Sequence, residues 1–373
     1  MECGRILVTA QAMPPKEAME KLLASMAPRG ASDLHLKVGL PPCYRIASQL
    51  HRVAMPPIAD SAYLKAMVSD FIPAPFRGRF EAGGDVDFSA AGPTGDRYRI
   101  NVFQSVGDTH AAVRRVQCEI PSFDGLHLPE IYKKTISKCH EGLVLVSGVT
   151  GSGKSSTLAA MLEYINQDRA VHIITIEDPV EYRFVSKKSI ISQREIGIDV
   201  PNYPDALRSA VRQDPDCVFI GEMRDRETML AAIQSAETGH LVLGSLHCSD
   251  AAQTFTRILE FFPRQDHAFI RSSLAGSLKA IFCQRLLPGI DKNTCFPATE
   301  VLLNNPVVKD KIIREEDDAL PAVIKKGRDE GMRTLTDSLC ELIEKELVHF
   351  DTAMDYAPNR DALASAVKGI KSS

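Results

Sequence analysis

Residues Gly148-Val-Thr-Gly-Ser-Gly-Lys-Ser155 follow an apolar run, Gly142-Leu-Val-Leu-Val-Ser147, and precede a helix-forming stretch, Leu158-Ala-Ala-Met-Leu162. Glycines at this spacing let successive backbone N–H groups turn inward on a phosphate chain, and the helix that follows offers its positive end to the same charge. In that frame Lys154 reaches the outer phosphates and the Ser155 hydroxyl can ligate Mg²⁺. The spacing therefore predicts a phosphate-binding loop in which Gly148, Val149, Thr150, Gly151, Ser152, Gly153, Lys154, Ser155 and the adjoining Ser156 form the bed for a nucleoside triphosphate. Hydrolysis of that nucleotide is the expected chemistry. The competing reading, a glycine-rich strand–helix turn with no ligand, is disfavoured because the full spacing occurs in the strand–loop–helix context the mechanism needs.

At 373 residues, 44% of them hydrophobic, the chain is expected to form about two domains, each with a real core. Its formal net charge is −4 and no Lys/Arg tract or aromatic ladder compensates locally, so nucleic acid is not the expected partner. Nine cysteines, at 3, 43, 118, 139, 217, 248, 283, 295 and 340, include no C-x-x-C pair, and several lie inside apolar patterns where thiols behave as small hydrophobes. That usage is cytosolic and provides no zinc knuckle. No run approaches the ~18 apolar residues needed to span a bilayer, and Arg5-Ile-Leu-Val8 is too short for a signal-peptide core. The expected location is the cytoplasm, with peripheral docking on a membrane complex through a protein partner.

Two grammars divide the chain. Residues 16–26 pattern as a helix, Asp33–Val38 and Tyr44–Ala47 alternate as strands around Gly39-Leu-Pro-Pro42, and a helix is expected near 60–72. Asp85–Phe88, the turn Ala91-Gly-Pro-Thr-Gly95, Arg97–Phe103 and Ala111–Val116 continue as a meander. This predicts a small α+β domain over 1–117 with an antiparallel sheet. A breaker-rich stretch at 118–128 reads as a hinge linker. From 129 onward, helical patterns alternate with strands apolar on both faces, Leu143–Val146, Val171–Ile176, Cys217–Ile220 and Leu241–Leu246, which indicates a parallel sheet covered by helices. The fold class expected is α/β, a RecA-like P-loop NTPase domain preceded by the small domain. After residue 250 the pattern reads as mostly helical, with Arg314–Asp318 as a solvated loop.

Ligands of such sheets sit at the carboxyl ends of the strands, and the later strands end in polar groups: Glu177-Asp178, Glu222 and His247. Cleavage of a γ-phosphate needs a carboxylate to hold Mg²⁺ through water and another to orient the attacking water. Glu222, which follows Cys217-Val-Phe-Ile-Gly221, stands in the position of a Walker B acid, with Glu177 as its companion. Asp178 and Asp225 can instead be helix N-caps. His247 is a candidate sensor of the γ-phosphate, and His240 just upstream is expected to place a second imidazole at the same sheet edge. Arg208 and Arg212, four residues apart on a helix over 206–213, are candidate fingers for a neighbouring subunit's site, with surface salt bridges as the alternative.

Taken together, these motifs resemble the PilT/PilU-type motors, hexameric retraction ATPases of type IV pili within the wider secretion-ATPase family. Gly148–Ser156 is similar to the family's Walker A, Ile176–Tyr182 to its Asp box, Ala206–Asp225 to its Walker B region, and Ala236–Val242 with Leu246-His247 to its His box. Weaker similarity covers Gly30–His35 and Gly39–Pro42 in a PAS-like N-terminal domain and Gly331–Asp337 near the C-terminus. The resemblance implies ATP and Mg²⁺ as cofactors, with Glu177 and Glu222 carrying water activation and Mg²⁺ handling. It implies the His-box role for His240 and His247, and approach of Arg99, Arg114 and Arg208 to a neighbour's nucleotide. As partners it implies copies of the chain itself in a homohexamer, an inner-membrane pilus platform protein and a paralogous retraction ATPase. Three departures stand out: Val149 replaces the family's usual Pro, Cys248 follows the His-box histidine, and Val307–Glu315 matches the retraction-specific C-terminal motif only in part. Assembly and type II secretion ATPases, a non-hydrolysing regulatory protein and a nucleic-acid motor are the rival readings.

Overall fold

The computed structural model describes residues 13–47, 49–116, 119–291 and 294–371; Cys3, Cys118 and the Arg5–Val8 run lie outside the described residues. Two compact units divide the chain, Met1–Cys118 and Glu119–Ser373.

The smaller unit runs α1 (Pro15–Ala24), β1 (Ala31–Lys37), β2 (Cys43–Ile46), β3 (Gln49–Arg52), α2 (Ser61–Ser69), α3 (Ala74–Glu81), β4 (Val86–Ala91), β5 (Arg97–Ser105) and β6 (Asp108–Val116). Its strands pair antiparallel in the order β3-β2-β1-β6-β5-β4. Strict alternation on β5 sends Tyr98, Ile100 and Val102 into a core shared with Met19, Leu22 and Leu23 of α1 and Leu64, Met67 and Val68 of α2. The opposite face carries Arg97, Arg99 and Asn101, as the two-residue period of a strand requires. The antiparallel α+β unit agrees with the sequence reading, but β3 and α3 were not anticipated. All four β3 side chains are exposed and α3 buries none, so neither left an amphipathic pattern.

In the larger unit the elements are α4 (Glu130–Lys138), β7 (Gly142–Ser147), α5 (Lys154–Asp168), β8 (His172–Glu177), β9 (Ile190–Glu195), α6 (Tyr203–Ala210), β10 (Cys217–Ile220), α7 (Arg226–Glu237) and β11 (Leu241–Leu246). They continue through α8 (Ala251–Glu260), α9 (His267–Ser277), β12 (Leu278–Pro288), β13 (Cys295–Leu303), α10 (Pro306–Ile313), α11 (Leu320–Lys326), α12 (Leu335–Glu344), α13 (Phe350–Tyr356) and α14 (Arg360–Lys371). The sheet order is β13-β12-β7-β11-β10-β8-β9, parallel throughout except for β13. Every residue of β7, β10 and β11 is buried, because helices cover both faces. Leu143 and Leu145 pack towards α6 to α11, while Val144 and Val146 pack towards α4 and α5. Phe123 and Leu128 lie against the second of these cores, so the breaker-rich segment is anchored to this unit from Phe123 on.

The region after residue 250 is mostly helical as expected, but it also contributes β12 and β13, which extend the sheet by two strands. No Gly or Pro separates α9 from β12, and Gln284 and Arg285 interrupt its apolar run, so the change of period is hidden. Arg314–Asp318 is likewise more than a solvated loop. The Asp317 carboxylate accepts from Arg271 Nη1 and Nη2 at 2.8 and 2.7 Å, Arg271 also donates to the Ile312 carbonyl at 3.1 Å, and its side chain is only 8% exposed. Asp317→Ala leaves that guanidinium buried without its counter-charge. The expected cost is about 3–5 kcal/mol, read as a lower unfolding midpoint of the larger unit in urea.

Candidate active site

At the carboxyl end of β7 the chain turns sharply. Gly151 and Gly153 have φ of +81° and +86°, a region L side chains avoid, and α5 begins at Lys154. Ser152 and Lys154 are buried, while Val149, Thr150, Gly151 and Ser155 face outward. Lys154 Nζ donates to the carbonyls of Gly148 at 2.8 Å and Val149 at 3.1 Å, folding over the loop it serves. Burial lowers its pKa, opposed by the charges of Glu222 and Glu181. The Ser147 hydroxyl accepts from the Cys248 amide and donates to the Cys248 carbonyl, both at 3.1 Å, locking the end of β7 to the end of β11. Ser156 shares a hydrogen bond of 2.9 Å with the Tyr182 hydroxyl.

Beside the loop, in the strand order β7-β11-β10-β8, stand His247, Glu222 and Glu177. Parallel pairing of Ile220 with Ile176, followed by the Gly221 amide bonding to the Ile176 carbonyl at 2.8 Å, sets the two acids on adjacent strand ends. The two carboxylates occupy opposite environments. Glu177 is buried and accepts from Thr175 Oγ1 at 2.6 Å and Gln193 Nε2 at 3.1 Å; burial outweighs those bonds and pushes its carboxyl up to about 7. Burial also acts on Glu222, but its hydrogen bond from Arg224 at 2.6 Å and the nearby positive charges hold its carboxyl below the usual range. Burial and the Lys154 charge lower His247, which keeps its ring neutral at pH 7. Its 3.3 Å contact with Glu222 is then a hydrogen bond from a neutral imidazole, not a full ion pair.

Two expectations change. His240 lies at the amino end of β11, its backbone carbonyl bonded to the Gly142 amide. Six strand residues, ~20 Å at the rise of a β-strand, separate it from His247, so the two imidazoles do not share a sheet edge. The direction of β11 puts one residue before the strand and the other after it. Instead, His240 Nδ1 meets the Ser235 carbonyl at 3.0 Å and Thr238 Oγ1 at 3.2 Å where α7 ends. Arg208 is 68% exposed and bonded to Asp205 and Glu227. Asp225 caps α7 through the Thr228 amide at 2.8 Å, whereas exposed Asp178 precedes no helix and caps none. In the smaller unit Arg99 pairs with Asp87 at 2.6 Å and Arg114 with Asp33 at 2.9 Å.

Sequence reasoning missed the residues that set the environment of the acids. Thr175 was findable, since it lies two positions before Glu177 on one face of β8. Gln193 arrives from β9, an edge strand with one fully buried residue. Arg224 sits in the Gly221–Asp225 motif, two positions after the Glu222 carboxylate it reaches. The residues suit Mg²⁺ that arrives with a nucleotide. Ser155 offers an exposed hydroxyl and Glu222 an ionised carboxylate, and no cluster of three acidic, His or Cys ligands occurs among the described residues.

A family model described as "Type II/IV secretion system protein" matches residues 9–317. The chain belongs to that family. It is 39% identical to the type IV pilus retraction ATPase PilT of Pseudomonas aeruginosa over 90% of this chain and 97% of that one. It is 35% identical to the type IV pilus ATPase PilU of the same organism, over 94% and 91%. A crystal structure of the pilus retraction motor PilT with bound ADP superposes with a TM-score of 0.85 at 38% identity, covering 93% of this chain and 98% of that chain. The secretion-ATPase architecture of a small N-terminal domain and a RecA-like domain agrees with the fold described above.

Because the Glu177 pKa is raised in the folded state, its contribution to stability is complete below the ordinary glutamate value of 4.5 and is lost as pH rises through about 7. In nucleotide-free protein, the difference in unfolding free energy between wild type and Glu177→Gln should move by about 2–3 kcal/mol between pH 5 and pH 9. Wild type gains relative to the variant on the acid side, and denaturant titrations at the two pH values read the change.

Proposed function

We propose that this chain is the subunit of a homohexameric ATPase that drives retraction of a type IV pilus. The observation that carries the chemistry is a pair of carboxylates beside a phosphate loop whose environments drive their protonation apart, one up to about 7 and one down. Glu177 takes the proton of the attacking water, since a base that titrates near neutrality is best matched to that task. Glu222 stays ionised and, with Ser155, holds Mg²⁺, which when bound neutralises the phosphate oxygens. His247 holds Glu222 through a neutral N–H and can turn that donor to the γ-phosphate. Lys154 leaves the loop carbonyls for the outer phosphates.

Hydrolysis becomes motion only if the nucleotide makes different contacts in two states. Arg99, Arg114 and Arg208 are assigned to a neighbouring subunit's nucleotide, each exchanging its present acidic partner for phosphate. The segment 118–128 is assigned as the hinge, with its second half held to the larger unit from Phe123 on. Retraction as the load is supported by the names of the relatives, a pilus retraction ATPase and a pilus ATPase matched over nearly their whole lengths. Among the described residues no helix is long and apolar enough to cross a membrane, so work on a pilus requires docking on a membrane-embedded platform protein.

Purified protein should release phosphate from ATP as a ring of six. Glu222→Gln should cut turnover by about 100-fold or more while ADP still binds, and Lys154→Ala should lose both. Wild-type turnover in Glu222→Gln would remove that residue's role. In cells, deletion of the gene should leave pili that extend but no longer shorten, seen by imaging labelled pili; normal shortening would refute the assigned load.

A further inference from the structure

Strand β12 runs beside β7, with Cys283 opposite Ser147 at the point where the phosphate loop begins. The next residue, Gln284, turns a side chain that is 2% exposed over that loop. Its Nε2 donates to the Ser152 carbonyl at 2.7 Å, and its Oε1 accepts from Thr157 Oγ1 at 3.0 Å. Its backbone carbonyl lies 2.5 Å from where a Cβ on Gly148 would stand, and its Nε2 3.2 Å from the same position on Gly153. One residue from a strand more than a hundred positions downstream thus touches the start of the loop, its crown and the first turn of α5.

We propose that Gln284 is a positioning residue that holds the phosphate loop in its nucleotide-binding shape. The peptide bond is planar and trans, so the Ser152 carbonyl and the Gly153 N–H point in opposite directions. Fixing the carbonyl against Gln284 therefore aims the Gly153 N–H away from β12, to the side on which a phosphate is cradled. The second bond, from Thr157, fixes the carboxamide itself and ties the loop to the helix whose positive end faces the same charge. A carboxamide suits both partners, because it presents one donor to a carbonyl and one acceptor to a hydroxyl. An ionised carboxylate would set an oxygen against the Ser152 carbonyl. Gln284 touches no catalytic carboxylate, so its effect falls on nucleotide affinity before turnover.

This inference rests on the nucleotide site proposed above, and ADP binding to the wild type tests that premise separately. Calorimetric titration should show Gln284→Met binding ADP about tenfold more weakly than wild type, equivalent to about 1.4 kcal/mol. KM for ATP should rise by a similar factor while kcat stays within threefold. Gln284→Glu should also bind ADP weakly at pH 8, because an ionised carboxylate has no donor for the Ser152 carbonyl. ADP affinity within twofold of wild type in folded Gln284→Met, or a fall in kcat with unchanged KM, would overturn the assignment. If Gln284→Met melts below the assay temperature, the Gln284→Glu variant decides: ADP affinity within twofold of wild type at pH 8 counts against the carboxamide donor. Absence of ADP binding to the wild type would instead sink the nucleotide site.

Discussion

Parallel pairing of β7, β11, β10 and β8 is the constraint from which the candidate site follows. Strands that run the same way finish at the same edge, so a loop at 148–155 meets groups at 177, 222 and 247 without any local sequence signal linking them. Parallel pairing also demands helices on both faces, and those helices make the strand interiors dry. The dryness is chemically useful at the rim. It is the reason Glu177 titrates near neutrality although two side chains donate to it, and the reason Lys154 and His247 are both shifted towards their neutral forms. Glu222 escapes the same burial because Arg224 reaches it and the charge of Lys154 lies nearby.

Much of this is legible in the sequence, and the reason is locality. The phosphate loop, Glu222 and His247 each announce themselves within ten residues of an apolar strand, because a buried parallel strand must be apolar and must stop where the chemistry starts. What escaped notice depends on pairing between distant segments. Strand β12 reads like a continuation of α9, and β9 carries only one fully buried residue, so Gln284 and Gln193 had no pattern to stand on. The misplacement of His240 has a different cause. A residue at a strand's beginning and one at its end look alike in a motif, but the length of the strand lies between them.

Buried ionic contacts show where specificity enters this fold. The pair Arg271–Asp317 closes the segment after α10 onto α9, where the alternative is a solvent-exposed acidic loop. Such a pair adds little net stability over an apolar one of similar size, but a missing partner is costly, so it selects one placement of the segment. The Ser147–Cys248 exchange works similarly at the site. A hydroxyl that both donates to and accepts from one neighbouring residue fixes the separation of two strand ends at which Lys154 and His247 must act.

The open face of the smaller unit's sheet carries a row of charges whose arrangement bears on the proposed role of its arginines. In register across the strands, Arg45 and Arg114 flank Asp33, and Arg114 stands directly opposite Arg99, which pairs with Asp87. Two guanidiniums opposite each other on one sheet face repel, and the paired acids Asp33 and Asp87 offset that repulsion. A phosphate group brought to Arg99 and Arg114 meets cations already drawn together by the backbone register, with no cost of assembling them. The acidic partners give the same row a resting state in which neither arginine is left without a counter-charge. An arginine pair that alternates between carboxylate and phosphate responds to cleavage of the nucleotide, because its contacts differ in the two states, which is the condition a motor must satisfy.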